Sequence, residues 1–174
     1  MADLVGGRAA QWLLRGIVVL CCLVGSEAFA SDVLQLLQPS DLNGWAARRF
    51  VGETRYQLVR LDGVQALRAQ ADGSASALYR EGRVSLVRWP LLRWRWRIRD
   101  AMSGINERSR SGDDFAARIY VVAGDPLLFW ETRAICYVWA GAAKAGQDWP
   151  NPYSDRVHMV ALNGFGDSPG VWVQ

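Results

Sequence analysis

Residues 92–99 carry the sharpest pattern in the chain. Leu92, Trp94, Trp96 and Ile98 alternate one for one with Arg93, Arg95, Arg97 and Arg99. Side chains alternate across a strand with period two, whereas a helix would scatter both sets round its axis, so this segment predicts a strand with an apolar face and an arginine face. Shorter runs with strand character occur at 56–61, 65–71, 76–80, 84–87, 115–122, 135–140 and 156–162, after a loop and early strand at 42–50 anchored by Trp45. Turn signals separate them: Asp62-Gly63, Asp72-Gly73, Glu81-Gly82, Gly124-Asp125-Pro126, and a Gly-rich stretch at 163–170. Asp-Gly between two such runs is a hairpin signal. Residues 100–113 predict a polar loop, and 141–152 a long loop ending in Asn-Pro. The alanines of 66–71 also fit one helical turn, and 31–38 fits a short helix or a strand. Many short runs between turns predict an all-β domain, a jelly-roll-like two-sheet sandwich of mainly antiparallel strands.

The N-terminus changes the picture of where the chain resides. Arg8 and Arg15 precede an apolar run at 16–25, and Ala28-Phe29-Ala30 offers a small-x-small cleavage site. These are the parts of a secretory signal peptide, expected at 1–30, with an uncleaved anchor as the alternative. An apolar run this short falls below the roughly 20 residues that a spanning helix needs, so no stable membrane span is expected after cleavage. Cys21 and Cys22 follow Val18-Val19-Leu20, not the small residues of a lipoprotein signal, and count as part of the apolar run. The expected mature chain is a single domain, 31–174, exported to the periplasm or secreted. Cys136 is then its sole cysteine, which excludes an internal disulfide, and its apolar neighbours predict a buried thiol. The pattern at 171–174 is that of a strand just begun.

The net charge of +3 hides an asymmetry. Residues 31–110 hold 14 basic and 8 acidic groups, while residues 111–174 hold 4 and 7. A basic surface suits an anionic partner, and in an exported protein that partner is a glycan, another anionic polymer or a membrane surface, with no nucleic acid expected. The candidate binding residues are Arg93, Arg95, Arg97, Arg99 and Arg118, with Asp114 beside them and Tyr120, Tyr137 or Trp139 stacking on sugar rings. Arginine forks match carboxylate and phosphate geometry. A solvated face salt-bridged to Asp113 and Asp114 accounts for the same arginines, since cross-strand ion pairs contribute about 0.2–1 kcal/mol each. A membrane-active Trp/Arg strip fits less well, because the tryptophans and arginines of 92–99 lie on opposite faces. Trp94 and Trp96 are expected in the core, and Trp130 and Trp149 near strand ends.

Little else carries chemistry. His158 is the only histidine, and no Ser or Cys pairs with it as a nucleophile. There is no Cys/His cluster for zinc and no phosphate-cradling Gly loop, so neither metal nor cofactor is expected. Glu107, Asp113, Asp114 and Asp125 are oxygen donors in loops, without EF-hand spacing. Asp114 with Glu131 is a conceivable glycosidase pair, which needs carboxyl groups about 5–9.5 Å apart.

The stretches VGETRYQLV (51–59), SASAL (74–78), PLLRWRWRI (90–98), DDFAARIYVV (113–122), YVWA (137–140) and NPY (151–153) together resemble an uncharacterised bacterial family, domain-of-unknown-function family 3047. The resemblance implies an exported β-sandwich and supplies no catalytic residues. Members of that family usually continue past Gln174 with an Asp-rich segment and a final strand, so the resemblance implies that the domain, 31–174, is incomplete at its C-terminus. Three functions remain open. The leading one is a non-catalytic envelope module binding a glycan or anionic polymer. The others are a carbohydrate-active enzyme using loop carboxylates and a structural envelope protein. Two facing carboxylates in a groove favour the enzyme, an open Arg-aromatic face favours the binder, and arginines fully paired with acids favour the structural protein.

Overall fold

The computed structural model describes Leu34, residues 42–124 and residues 131–174. The expected signal peptide at 1–30, all of 31–38 except Leu34, and Asp125, Pro126 and Trp130 lie outside the described residues. The described chain is all-β: eight strands, mostly antiparallel, with a short 3-10 turn at Arg110–Gly112. No helix among the described residues is long and apolar enough to cross a membrane. The chain divides into two compact units, one ending at Trp96 and one running from Arg97 to Val173.

The N-terminal unit contains two ribbons. β2 (Arg55–Leu61) and β3 (Val64–Gln70) form an antiparallel hairpin, in register from Arg55 opposite Gln70 to Leu61 opposite Val64. Its two-residue turn is Asp62-Gly63, with φ of 52° and 78°. Both central residues of a type I′ turn need positive φ, which Gly reaches freely and Asp tolerates. The ladder settles 65–70 as strand, not helical turn. β1 (Ala46–Val51) pairs instead with β4 (Ala75–Tyr79), with a bulge between Arg49 and Val51. The Asp72-Gly73 bend therefore carries the chain from one ribbon to the other. Buried positions here are few: Thr54, Ala66, Leu78, Trp94 and Trp96.

Two expected strands differ in the structure. Residues 84–87 are not a strand. Ser85 closes a turn, its carbonyl accepting the Trp89 N–H at 2.9 Å and its hydroxyl the Arg88 N–H at 3.4 Å. A serine that captures local backbone donors competes with a ladder, and here it wins. Residues 92–99 form no strand and carry one bridge residue, Trp96. Their period-two burial holds nonetheless. Trp94, Trp96 and Ile98 are 9%, 5% and 4% exposed, while Arg93 and Arg99 face solvent and Arg95 and Arg97 are half-buried. Trp94 and Trp96 meet edge to face, with centroids 5.6 Å apart.

The C-terminal unit is built on one four-stranded sheet, in the order β5-β6-β8-β7. β5 (Ala117–Ala123) and β6 (Arg133–Trp139) are antiparallel neighbours. β8 (Ser154–Asn163) lies parallel to β6, and β7 (Asp148–Asn151) pairs antiparallel with β8 at the edge. β7 falls inside the expected loop at 141–152, where Pro150 and the short length conceal it. Edge strands tolerate proline because one side of the strand needs no donor. Alternate residues of one sheet face make the core: Tyr120 and Val122, Cys136 and Val138, Met159 and Ala161, with Trp149 from β7. Cys136, Val138, Met159 and Ala161 are fully buried. Complete burial of a Val or Met side chain contributes about 1.5–3 kcal/mol.

One buried carboxylate organises the connection from β6 to β7. Glu107, in the polar loop, is 2% exposed. It accepts the backbone N–H of Gly141 and, at 3.0 Å, that of Ala143. Gly141 has to be glycine, because a Cβ there would run into the Met102 carbonyl oxygen. The Ala143 carbonyl in turn accepts the Phe165 N–H at 2.8 Å, which ties the Gly-rich stretch after β8 to the same connection.

Candidate functional site

The residues singled out by sequence do not form one face. In the β5–β6 register Arg118 lies opposite Val138 and Tyr120 opposite Cys136, all on the core side. Tyr137 and Trp139 occupy the other face of the same sheet, opposite Ile119 and Ala117. The two share a side of β6, but Trp139 is only 1% exposed and offers no ring to a ligand, while Tyr137 is half-buried. Arg99 pairs with Asp100 at 2.5 Å on the surface. Arg93 and Arg95 belong to the N-terminal unit, Arg97 and Arg99 to the C-terminal one.

Arg118 sits at the centre of a part-buried polar cluster, its own side chain 28% exposed and that of Asp114 66%. Its Nη1 donates to Tyr120 Oη at 3.3 Å and its Nη2 to the Asp113 carbonyl oxygen at 3.0 Å. The carboxylates of Asp113 and Asp114 approach at 3.6 and 3.7 Å, and the Phe115 ring lies 4.9 Å from the guanidinium carbon. Burial opposes the Arg118 charge, but the acidic groups around it, Tyr120, Cys136 and Asp113, outweigh that and hold the guanidinium above its ordinary range. Burial also raises the Tyr120 phenol, with Cys136 adding to the rise and Arg118 opposing it. It pushes the Cys136 thiol up to about 12, against Arg118 and a Tyr120 hydrogen bond. The thiol therefore stays protonated and unreactive at neutral pH. Around this cluster, Asn151 Nδ2 reaches Asp113 at 3.5 Å and Met159 Sδ at 3.4 Å. Tyr153 Oη donates to the Arg110 carbonyl oxygen at 2.6 Å, and Arg110 Nε to the Pro152 carbonyl at 3.0 Å. The Asp-Asp-Phe and Asn-Pro-Tyr motifs thus fasten the loop before β5 to the β7–β8 hairpin.

The loop carboxylates have protein partners as well. Glu107 holds backbone N–H groups, Asp113 and Asp114 hold Arg118, and Asp114 also accepts the Phe115 N–H at 2.9 Å. Among the described residues no three His, Cys, Asp or Glu side chains come together as a metal site. Asp114 and Glu131 lie beyond opposite ends of the β5–β6 ladder, which runs from Ala117 opposite Trp139 to Ala123 opposite Arg133. Six strand steps at about 3.4 Å put them roughly 20 Å apart, well past the separation that glycoside cleavage needs. His158 bonds Asp148 Oδ1 at 2.7 Å on the exposed face of the β7–β8 pair.

A concave surface does occur in the N-terminal unit, where sequence patterning gave no signal for one. A cleft of about 510 Å³ runs along one face of the β1–β4 ribbon, lined there by Ala47, Arg49, Ser76 and Leu78. The connection into β2, with Glu53 and Thr54, and the first residues of β2, Arg55 and Tyr56, close it. Register explains the ribbon's share, since Ala47 pairs with Leu78 and Arg49 with Ser76, so all four point the same way. The polar wall is preorganised: Tyr56 Oη donates to the Ser76 carbonyl at 2.9 Å, and Ser76 Oγ accepts the Thr54 N–H at 3.2 Å. Burial raises the Tyr56 phenol, with hydrogen bonds to Ser76 and Thr54 opposing, so it remains a neutral donor at physiological pH. Arg49 Nη2 meets Glu53 Oε1 at 2.8 Å, while Arg55 is exposed and takes no part in an ion pair among the described residues.

No curated protein and no solved structure matches the chain. A family model does match, over residues 43–174, from the turn before β1 through the cleft, the Arg118 cluster and the last residue. The chain belongs to the family described as "Protein of unknown function (DUF3047)".

Proposed function

We propose that this chain is an exported, non-catalytic envelope protein that binds an acidic glycan, and that the cleft in its N-terminal unit is the site. The observation that carries the reading is the cleft's mixed lining: two arginines, a glutamate, a tyrosine and two hydroxyl residues around 510 Å³. That volume falls in the range of small-molecule sites, about 300–1,000 Å³. An Arg55 fork suits a sugar carboxylate. Glu53, Thr54, Tyr56 and Ser76 suit sugar hydroxyls, which both donate and accept. A bare phosphate or sulfate would gain nothing from Glu53, so the lining favours a sugar acid. The surroundings agree, since residues 42–96 hold ten arginines against four carboxylates.

The test is isothermal titration of the chain with oligogalacturonate and with a neutral gluco-oligosaccharide of equal length. The expected result is binding of the acidic sugar alone. A charge-assisted hydrogen bond contributes about 1.5–3 kcal/mol, so Arg55→Gln weakens binding by roughly tenfold or more. Tyr56→Phe removes the bond to Ser76 and weakens it less. Equal affinity for both sugars, or an Arg55→Gln variant that binds like the parent, overturns the assignment.

A further inference from the structure

The turn at residues 85–89 presents an apolar tip to solvent. Leu86 is 71% exposed, Val87 97% and nearby Leu91 71%. Large apolar side chains exposed to this degree and this close along the chain suit a contact surface. The tip is held in shape by the two Ser85 bonds, and the Arg88 guanidinium lies 4.7 Å from the Trp89 ring centre. Charge says what the tip meets. Arg83, Arg88 and Arg93, which flank it in the sequence, are exposed, and there is no carboxylate between Glu81 and Asp100. Exposed apolar residues in a turn, with a tryptophan and arginines next to them in the chain, suit the layering of a bilayer surface. There the acyl region begins beneath an aromatic-tolerant interface and an anionic headgroup layer.

We propose that this turn docks the protein onto an anionic phospholipid surface. Leu86 and Val87 enter the boundary between headgroups and acyl chains, and Arg83, Arg88 and Arg93 meet lipid phosphates. The inference stands apart from the cleft, because none of these residues lines it. It goes beyond glycan binding by giving the protein a second surface, one that lies on a membrane without crossing it.

Hydrogen–deuterium exchange tests it on the full chain, with vesicles of phosphatidylglycerol and phosphatidylcholine in equal parts and with phosphatidylcholine alone. The readout is local to residues 84–91, so vesicle binding through the apolar N-terminal run is distinguished from docking by the turn. Slowed exchange at 84–91 is expected on the mixed vesicles only. Leu86→Asp with Val87→Asp removes that protection and lowers vesicle partitioning by roughly tenfold or more, with thermal midpoint and oligogalacturonate binding unchanged. Replacing Arg83, Arg88 and Arg93 by Gln lowers partitioning roughly fivefold per arginine. Unchanged exchange at 84–91 on mixed vesicles overturns the proposal. So does protection that survives the Leu86→Asp, Val87→Asp pair, or equal protection on phosphatidylcholine alone. Protection that grows with protein concentration in the absence of lipid identifies a self-contact and also overturns it.

Discussion

The two units solve different problems with the same strand chemistry. The C-terminal unit has one four-stranded sheet whose core side chains, Cys136, Val138, Met159 and Ala161, are shut off from water. Its charges nearly balance, with eight basic and nine acidic residues in 97–174. The N-terminal unit has two ribbons of two strands, leaves Val51, Leu58 and Leu61 exposed, and carries ten arginines against four carboxylates in 42–96. A surplus of like charge destabilises a compact state through self-repulsion while making it attractive to anions. The fully buried core side chains lie in the balanced unit, and the two proposed contact surfaces, cleft and turn, in the unbalanced one.

Substitutions that break this contrast should differ in size. Arg118→Met leaves the mostly buried Asp113 carboxylate, 10% exposed, without its cation. Unpairing a buried charge costs about 3 kcal/mol, and a urea melt should record a loss near that size with glycan affinity unchanged. Glu107→Ala strips two backbone N–H groups of their acceptor in a buried connection. The expected cost is about 2 kcal/mol. Glu107→Gln should recover part of it, since one amide oxygen still accepts. In the other unit, Gly63→Ala forces a side chain into a turn with φ of 78°, a cost of about 1 kcal/mol. That loss should appear as faster amide exchange in β2 and β3, without a matching change in β5–β8.

A pH scan sharpens the contrast further. In the folded chain burial pushes the Cys136 thiol from 9.0 up to about 12 and raises the Tyr120 phenol. The unfolded chain therefore ionises first. The stability these groups contribute is fully present below pH 9 and is lost as pH climbs toward 12. The slope is at most about 1.4 kcal/mol per pH unit for each group. Thermal midpoints between pH 9 and 12 should fall less steeply in Cys136→Ala than in the parent. Identical slopes would remove Cys136 from the account.

Local pattern made some of this legible and distance hid the rest. Asp62-Gly63 announces its hairpin because two residues fix the turn, and the burial alternation of 92–99 follows from strand geometry alone. The ladder did not follow, because pairing depends on a neighbour elsewhere in the chain. β7 is hidden by Pro150, and the parallel placement of β8 beside β6 has no local marker. Tyr137 and Trp139 share a side as period two requires, but whether that side meets water depends on what covers it, and Trp139 is buried. The Glu107 latch joins residues 34 and 36 positions apart, beyond any spacing rule. The cleft arises from β1, residues 53–56 and β4, whose side chains meet only because Asp72-Gly73 redirects the chain to a different ribbon.

The most direct test of the central claim is the titration of the cleft with oligogalacturonate, comparing the parent chain with Arg55→Gln at matched thermal midpoints. Saturable binding of the acidic sugar, weakened roughly tenfold or more by Arg55→Gln and absent for a neutral oligosaccharide, is the predicted result. Binding that ignores both the charge of the sugar and the loss of Arg55 would contradict it.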